Sequence, residues 1–285
     1  MLIQISKMEK IENALYIVAT PIGNLEELTP RAQYILSNVD LIACEDTRVT
    51  IKLLSHFNIS KPLVSCHKFN EQNASEKLIE EIKEGKSIAM VSDAGYPGVS
   101  DPGGILIKHA IENDVLVRVI SGPSAGINAL IGSGLATDHF YFHGFLQIKN
   151  RDRKIELESL ALREETVILY EAPHHFLDTM EDLMKYFGND RKCCIARELT
   201  KLHEEFYRGT LLDAYNYYQD GIKGEIVIVI DKYEKEVASL EISRELLIDE
   251  VNRVMEAGSS CKDAIKIVAD KYKMQKNEVY RMYHN

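Results

Sequence analysis

The sequence lacks the residues and runs that mark several protein classes. Its 285 residues include five cysteines, Cys44, Cys66, Cys193, Cys194 and Cys261. The number is odd and no Cys-x-x-Cys pair occurs, which argues against a disulfide framework or a zinc ribbon. No uninterrupted apolar stretch approaches the roughly 18 residues of a membrane helix. The opening MLIQISKMEKIEN has no apolar segment of the kind a secretory signal carries. Positive charge is in deficit, with 34 Lys and Arg against 44 Asp and Glu for a net charge of −10. That disfavours binding to nucleic acid by bulk charge, while leaving room for a local basic patch. The expectation is a reduced, cytoplasmic protein with no membrane contact.

What is present is ordinary for a globular chain: 45% apolar and 27% charged residues, at a length that suggests two domains of about 150 residues each. Short apolar runs at 14–20, 39–44, 62–66, 87–93 and 115–120 alternate with helical patterns near 30–38, 47–56, 72–84 and 103–112. Thr29 is placed to cap the first helix, with Pro30 in its first turn. Buried runs alternating with helices predict a mostly parallel sheet with helices on both faces. SGPSA at 121–125 reads as a linker. A second block with runs at 139–145, 166–171, 192–196, 205–210 and 225–231, and helices near 174–187 and 211–219, predicts a mixed α/β sheet. From about 239 strand signals stop, and 240–257, 261–272 and 275–283 read as helices. The boundaries predicted are an N-terminal extension 1–13, α/β domains 14–121 and 122–237, and a small helical domain 238–285.

In a parallel α/β sheet, ligands bind where strands end and loops turn into helices. After the five runs of the first block come Thr20-Pro21-Ile22-Gly23-Asn24, Glu45-Asp46-Thr47-Arg48, Ser65-Cys66-His67-Lys68, the glycine-rich stretch Asp93 to Gly103, and Ser121 to Ala125. Polar, Gly and Pro residues therefore collect at one sheet edge, the expected pattern of a site. The glycine-rich stretch does not match G-x-x-x-x-G-K-[ST], and no G-x-G-x-x-G comes after the first run, so nucleotide-phosphate and dinucleotide readings fail. Each loop also has a plainer use: Gly and Pro make turns, and Asp93 and Asp101 can cap the next segment of chain.

Taken in order, VATPIGNLEELTPRA, IACEDTRVT, VSDAGYPGVSDPGG, SGPSAGINAL, YEAPHH, ARELTKLHEEFYRGT and KGEIVIVID resemble successive motifs of the tetrapyrrole methylase superfamily. They are most similar to its branch of 16S ribosomal RNA ribose 2′-O-methyltransferases. Tyr96 and Gly98 stand where that family usually has Thr and a branched aliphatic residue, and Cys66 where Tyr is common. The resemblance implies two α/β domains of the tetrapyrrole methylase type (class III methyltransferases) and S-adenosylmethionine folded in the cleft between them. It also implies a decoding-centre cytidine as acceptor, within the 30S subunit, and a homodimer. The cofactor positions it implies are Pro21, Gly23, Asp93, Ala94, Gly95, Val99, Ser100, Ser124, Ala125, Tyr170, Ala172, Gly224 and Glu225. Ser124 can be a helix cap, a ligand contact or both, and Gly224 can be only a turn.

Methyl transfer from a sulfonium to a ribose hydroxyl needs in-line alignment and a base for the hydroxyl proton. It needs no metal, and the His and Cys residues show no ligand spacing. The candidates for the base are Glu45, Asp46, Asp93, Asp101, Glu171, Glu198, His67 and Lys201, with ARELTK expected to line the acceptor side; a lysine would need its pKa lowered by burial. Of these, Glu45, Asp46, Glu171, Glu198 and Lys201 are taken as the catalytic set. Arg48, His67, Arg197, Lys273, Lys276 and Arg281 are the candidates for RNA contact, although Asp46 and Arg48 can equally form only a structural ion pair. Cys193 and Cys194, in an apolar run, are expected to pack as small apolar side chains. Residues 258–285 carry six Lys and Arg against three acids, and Tyr280 and Tyr283 among them can stack on bases or line one buried helical stripe. The alternatives are a methylase of a tetrapyrrole or protein acceptor, and an RNA-binding factor without turnover.

Overall fold

The computed structural model describes residues 11–148, 150–234, 243–272 and 274–284. The chain divides into two compact units, Met1–Tyr233 and Glu234–Asn285. The blocks read as two α/β domains each keep their own sheet but fall within the first unit. Of the expected extension 1–13, only 11–13 are described, and the hydroxyl of Tyr16 accepts from the Glu12 backbone amide there at 2.9 Å.

The first sheet holds β1 (Leu15–Val18), β2 (Leu41–Cys44), β3 (Leu63–Ser65), β4 (Ile88–Val91) and β5 (Val117–Ile120) in the order β3-β2-β4-β1-β5, every pair parallel. The period of two decides which face each side chain covers. Tyr16, Val18, Ile42 and Cys44 meet α1 (Pro30–Asn38) and α2 (Thr47–His56). Leu15, Ile17, Ala43 and Met90 meet α3 (Glu71–Lys83) and α4 (Gly104–Glu112) on the other face. Both faces are covered, which is why these strands read as unbroken apolar runs.

Caps set the helix starts. Thr29 accepts from the Ala32 amide with Pro30 in the first turn, and Asp46 accepts from the Arg48 amide. α4 starts behind Gly103, which has no side chain to cap it. Glu71, 5% exposed, reaches over from α3, and its Oε1 accepts from the amides of Gly103, Ile105 and Leu106 at 2.9, 2.8 and 3.2 Å. A carboxylate at a helix N-terminus complements the dipole, and here it also fixes the far end of the glycine-rich loop.

The second sheet runs β6 (Phe140–Phe145), β7 (Thr166–Glu171), β10 (Ile226–Ile230), β8 (Lys192–Arg197), β9 (Glu205–Thr210), mixed as expected: β6 and β7 are parallel and the remaining pairs antiparallel. Its faces are covered by α5 (Ala125–Ser133) and by α6 (Asn150–Ala161), α7 (Phe176–Phe187) and α8 (Leu211–Tyr217). Cys193 and Cys194 pack into the cores on opposite faces. Two of these helices escape the sequence pattern. α5, AGINALIGS, has no polar face to give it period, and α6, NRDRKIELESLA, is too polar to show an apolar stripe.

The second unit contains α9 (Arg244–Glu256), α10 (Cys261–Tyr272) and α11 (Lys276–His284) around Leu247, Val251, Ile265, Val268 and Val279. Among the described residues no helix is long and apolar enough to cross a membrane. Glu71→Ala removes one acceptor from three buried amides and should lower stability by about 2–4 kcal/mol. Urea unfolding monitored by circular dichroism measures it, and a loss below about 1 kcal/mol would contradict the cap.

Candidate active site

β1 and β4 are neighbours whose chains leave in opposite directions, β1 toward α1 on one face and β4 toward α4 on the other. Such a reversal opens a crevice at the strand ends. The two loops are joined across it. The Thr20 amide donates to the Gly95 carbonyl at 2.9 Å, the Gly95 amide donates back at 3.1 Å, and the Thr20 hydroxyl donates to the Ser92 carbonyl at 3.1 Å.

Above this bridge lies a cavity of about 370 Å³, in the range of small-molecule sites. Ala94, Gly95, Val99 and Ser100 line it from the β4 loop, Ser124 and Ala125 from the start of α5, Tyr170, Glu171 and Ala172 from the end of β7, and Gly224 and Glu225 from the turn into β10. Eleven of the positions taken from the sequence as cofactor or catalytic residues thus share one wall, with Asp101, a further candidate base, beside them. Pro21, Gly23 and Asp93 are not part of it, whereas Ile22, Tyr96, Asp101, Phe145, Pro173, Ile226 and Val227 are. Tyr96 holds the wall shut on one side, its hydroxyl accepting from the Gly122 amide at 3.0 Å. The walls are mainly apolar, and the start of α5 supplies the positive end of a helix dipole.

The segment after β8, Glu198 and Lys201 included, does not line the cavity but packs against its Gly224–Glu225 edge. Lys201 Nζ donates to Glu198 at 2.9 Å and to Glu225 at 3.1 Å, and Glu198 accepts from the Glu225 amide at 3.0 Å. A Cβ on Gly224, itself at φ +91°, would collide with the Glu198 carboxylate, and one on Gly23 would strike Lys201 and Thr200. Gly23 therefore serves close approach of the two halves. Among the described residues, one of the five non-glycine positive-φ positions, Ser100, lines this cavity, and two more, Glu198 and Thr200, lie in the segment packed against its Gly224–Glu225 edge; such backbone strain collects at functional sites.

Residues 14–214 match the family of tetrapyrrole (corrin/porphyrin) methylases. The chain belongs to this family. It is 47% identical over 94% of its length, and 96% of the relative's, to the ribosomal RNA small subunit methyltransferase I of Synechocystis sp.. The protein of that name from Halalkalibacterium halodurans is 43% identical over 96% of this chain and 95% of its own. The fold is shared with a solved uroporphyrin-III C-methyltransferase of Thermus thermophilus complexed with S-adenosyl homocysteine, at a TM-score of 0.54 and 16% identity, over 76% of this chain and 96% of that one.

In this tetrapyrrole methylase the candidate bases separate by their surroundings. Asp46 caps α2 and holds Arg48 at 2.5 Å, and the hydrogen bonds from Arg48 lower its pKa to about 2. Asp46 and Arg48 are thus a surface ion pair, and Asp46 is a poor proton acceptor. Lys201 is pulled down by burial, but its bonds to Glu198 and Glu225 outweigh that and raise its pKa; it stays an ammonium and does not meet the requirement for a basic lysine. Glu198 is lowered chiefly by Lys201. Glu171 is buried with both oxygens engaged, by the Ala172 amide at 2.7 Å and the Thr179 hydroxyl at 2.5 Å. Arg197 is engaged with Glu205 at 2.6 Å. His67 does not line this cavity; its Nδ1 accepts from the Phe69 amide at 3.2 Å.

Glu45, Asp93 and Asp101 behave differently. Burial raises all three, and repulsion from neighbouring carboxylates adds to it. Asp101, the one of them in the cavity wall, is pushed up to about 6 by burial and then by Glu45 and Asp93. The sequence places it among the candidate bases and also as a cap, and nothing in its local spacing ranks it first. Lys276 and Arg281 are exposed on α11, in the second unit; Lys273 lies outside the described residues. Tyr283 is a structural tyrosine, partly buried and bonded to Asn252 at 2.8 Å, while Tyr280 is 54% exposed.

An acid whose pKa is raised on folding favours the fold at low pH. The contribution is complete below the unfolded value near 4 and is lost as pH rises through about 6. Asp101→Asn should therefore melt higher than the unsubstituted protein above pH 6, with the gap closing toward pH 4. Equal melting temperatures across that range would show that Asp101 is not held in this way.

Proposed function

We propose that the protein transfers a methyl group from S-adenosylmethionine to the ribose 2′-hydroxyl of a decoding-centre cytidine in 16S ribosomal RNA, with Asp101 as the general base. The reading rests on one conjunction: a cavity with a raised-pKa carboxylate in its wall, in a chain matching relatives named ribosomal RNA small subunit methyltransferase I along nearly all its length.

The cavity suits S-adenosylmethionine on its own features. Its volume is adequate, the apolar side chains of Val99, Phe145, Ile226 and Val227 suit a purine ring, and the Ser124 side chain makes no cap bond within its own helix. The amides at the start of α5 suit a carboxylate. When bound, S-adenosylmethionine supplies a methyl group on a sulfonium that is already a good leaving group.

The remaining work falls to the protein. Gly95, Ser124, Tyr170 and Glu225 surround the donor side; the bridge to Thr20 holds Gly95, and the Gly126 amide, donating to the Tyr170 hydroxyl at 3.2 Å, ties the start of α5 to β7. Asp101 Oδ takes the 2′-hydroxyl proton; with a pKa of about 6 it is ionised at neutral pH yet more basic than an exposed aspartate. The Lys201 ammonium, tied to Glu198 and Glu225, keeps the opposite rim in place. Exposed Lys262, Lys266, Lys276 and Arg281 on α10 and α11 suit phosphate contact, and Tyr280 suits stacking.

The test is transfer of labelled methyl to 30S subunits from a strain lacking the modification, with the product mapped by nuclease digestion and mass spectrometry. One 2′-O-methyl on a decoding-centre cytidine is expected. The rate should rise with pH through about 6, and Asp101→Asn should lower kcat by about a hundredfold or more with S-adenosylhomocysteine still bound. Cofactor binding with no methylated RNA would instead favour a tetrapyrrole or protein acceptor.

A further inference from the structure

A second cavity, of about 430 Å³, adjoins the first and shares Phe145, Glu171 and Ala172 with it. Its other walls come from the segment after β6, from Arg153 on α6, from His175 just ahead of α7, and from Asp178, Thr179 and Asp182 on α7. The mouth is built rather than loose. The Gln147 amide donates to Glu156 at 2.8 Å, its carbonyl accepts from Arg153 at 3.3 Å, and Glu156 in turn holds His143 at 2.6 Å. On this braced segment Phe145 is 55% exposed and Ile148 85% exposed. Two large apolar side chains held at a cavity mouth in water are suited to the face of a flat ring.

The charges narrow the ligand. Arg153 is consumed by Asp182 at 2.7 Å and by the Thr179 hydroxyl at 2.7 Å, and that hydroxyl donates on to Glu171. The described wall therefore offers a phosphate no permanent cation that is not already paired, the neutral or protonated His175 being its other basic group, while Asp178 is exposed on it as an acceptor. The chemistry asks for an uncharged ring carrying an N–H donor. Cytosine presents an exocyclic amine that a carboxylate accepts from, whereas uracil presents a carbonyl at the same edge, which a carboxylate repels.

We infer that the second cavity receives the nucleobase of the acceptor nucleotide, turned out of its stack, and that Asp178 reads the cytosine amine there. The inference rests on the RNA methyltransferase reading above. A base seated there puts its ribose at the wall shared with the first cavity. Enzymes that modify a stacked nucleotide commonly turn it out into such a pocket.

The experiment compares methyl transfer to 30S particles carrying cytidine or uridine at the target position, using unsubstituted protein, Asp178→Asn and Ile148→Ala, with S-adenosylhomocysteine binding by calorimetry as control. The unsubstituted protein should prefer cytidine. In Asp178→Asn, whose amide can also donate to the uracil carbonyl, that preference should fall by about tenfold or more. Ile148→Ala should raise KM for the particle, and both variants should bind S-adenosylhomocysteine normally. Unchanged preference in Asp178→Asn together with unchanged KM in Ile148→Ala overturns the assignment. No transfer by the unsubstituted protein to either particle overturns the RNA reading itself, a result distinct from the first.

Discussion

The antiparallel bridge between Thr20 and Gly95 is the constraint on which the site depends. Parallel strands send their loops away to helices on opposite faces, so the loops after β1 and β4 diverge unless something holds them. Two backbone hydrogen bonds and the Thr20 hydroxyl do so. The floor of the cavity is then made of backbone from both loops, and the glycine-rich stretch has a fixed origin. Its other end is fixed by Glu71, which replaces the cap that Gly103 lacks. A loop pinned at both ends can hold Ser100 in a left-handed conformation and Asp101 in a partly dry place.

That geometry sets the electrostatics. Four carboxylates, Glu45, Asp46, Asp93 and Asp101, come together at one sheet edge, and of these only Asp46, hydrogen-bonded to Arg48, has its pKa lowered. The others share a region from which water is partly excluded, so their charges disfavour one another and their pKa values rise. On the far rim the carboxylates are paired instead: Glu198 and Glu225 clasp Lys201 and keep it charged. One rim can accept a proton while the other is held fixed by ion pairs.

Much of the fold was legible in the residues. The runs marked every strand of both sheets to within a residue or a few: β1, β2, β4, β7, β8 and β10 because a strand buried on both faces is apolar along most of its length, the half-buried β3, β6 and β9 less directly. Thr29-Pro30 marked the start of α1, because an oxygen cap ahead of a fixed φ is a local device. α5 and α6 were not legible. The first is apolar on both flanks: Ala129 and Leu130 pack on the second sheet, while Ile127 and Ile131 stand exposed on the opposite side; the second buries only a short stripe. Of the site, the glycine-bearing turns were visible as turn chemistry, and eleven of the positions chosen from them or from the motif resemblance meet in one wall.

The sequence by itself determined the order of the elements and which loops lie at the active edge of the first sheet, since strand direction and period are local properties. It also determined that Gly23 and Gly224 stand where the chain bends. Only the tertiary structure decided which acid is basic, which lysine is spent on a clasp, and that Phe145, Arg153 and Asp178 wall one cavity. A pKa is set by burial and neighbouring charge, and both come from segments distant in the chain. The same residue type therefore serves as a cap at Asp46 and sits as a raised carboxyl at Asp101, and no spacing along the chain distinguishes the two.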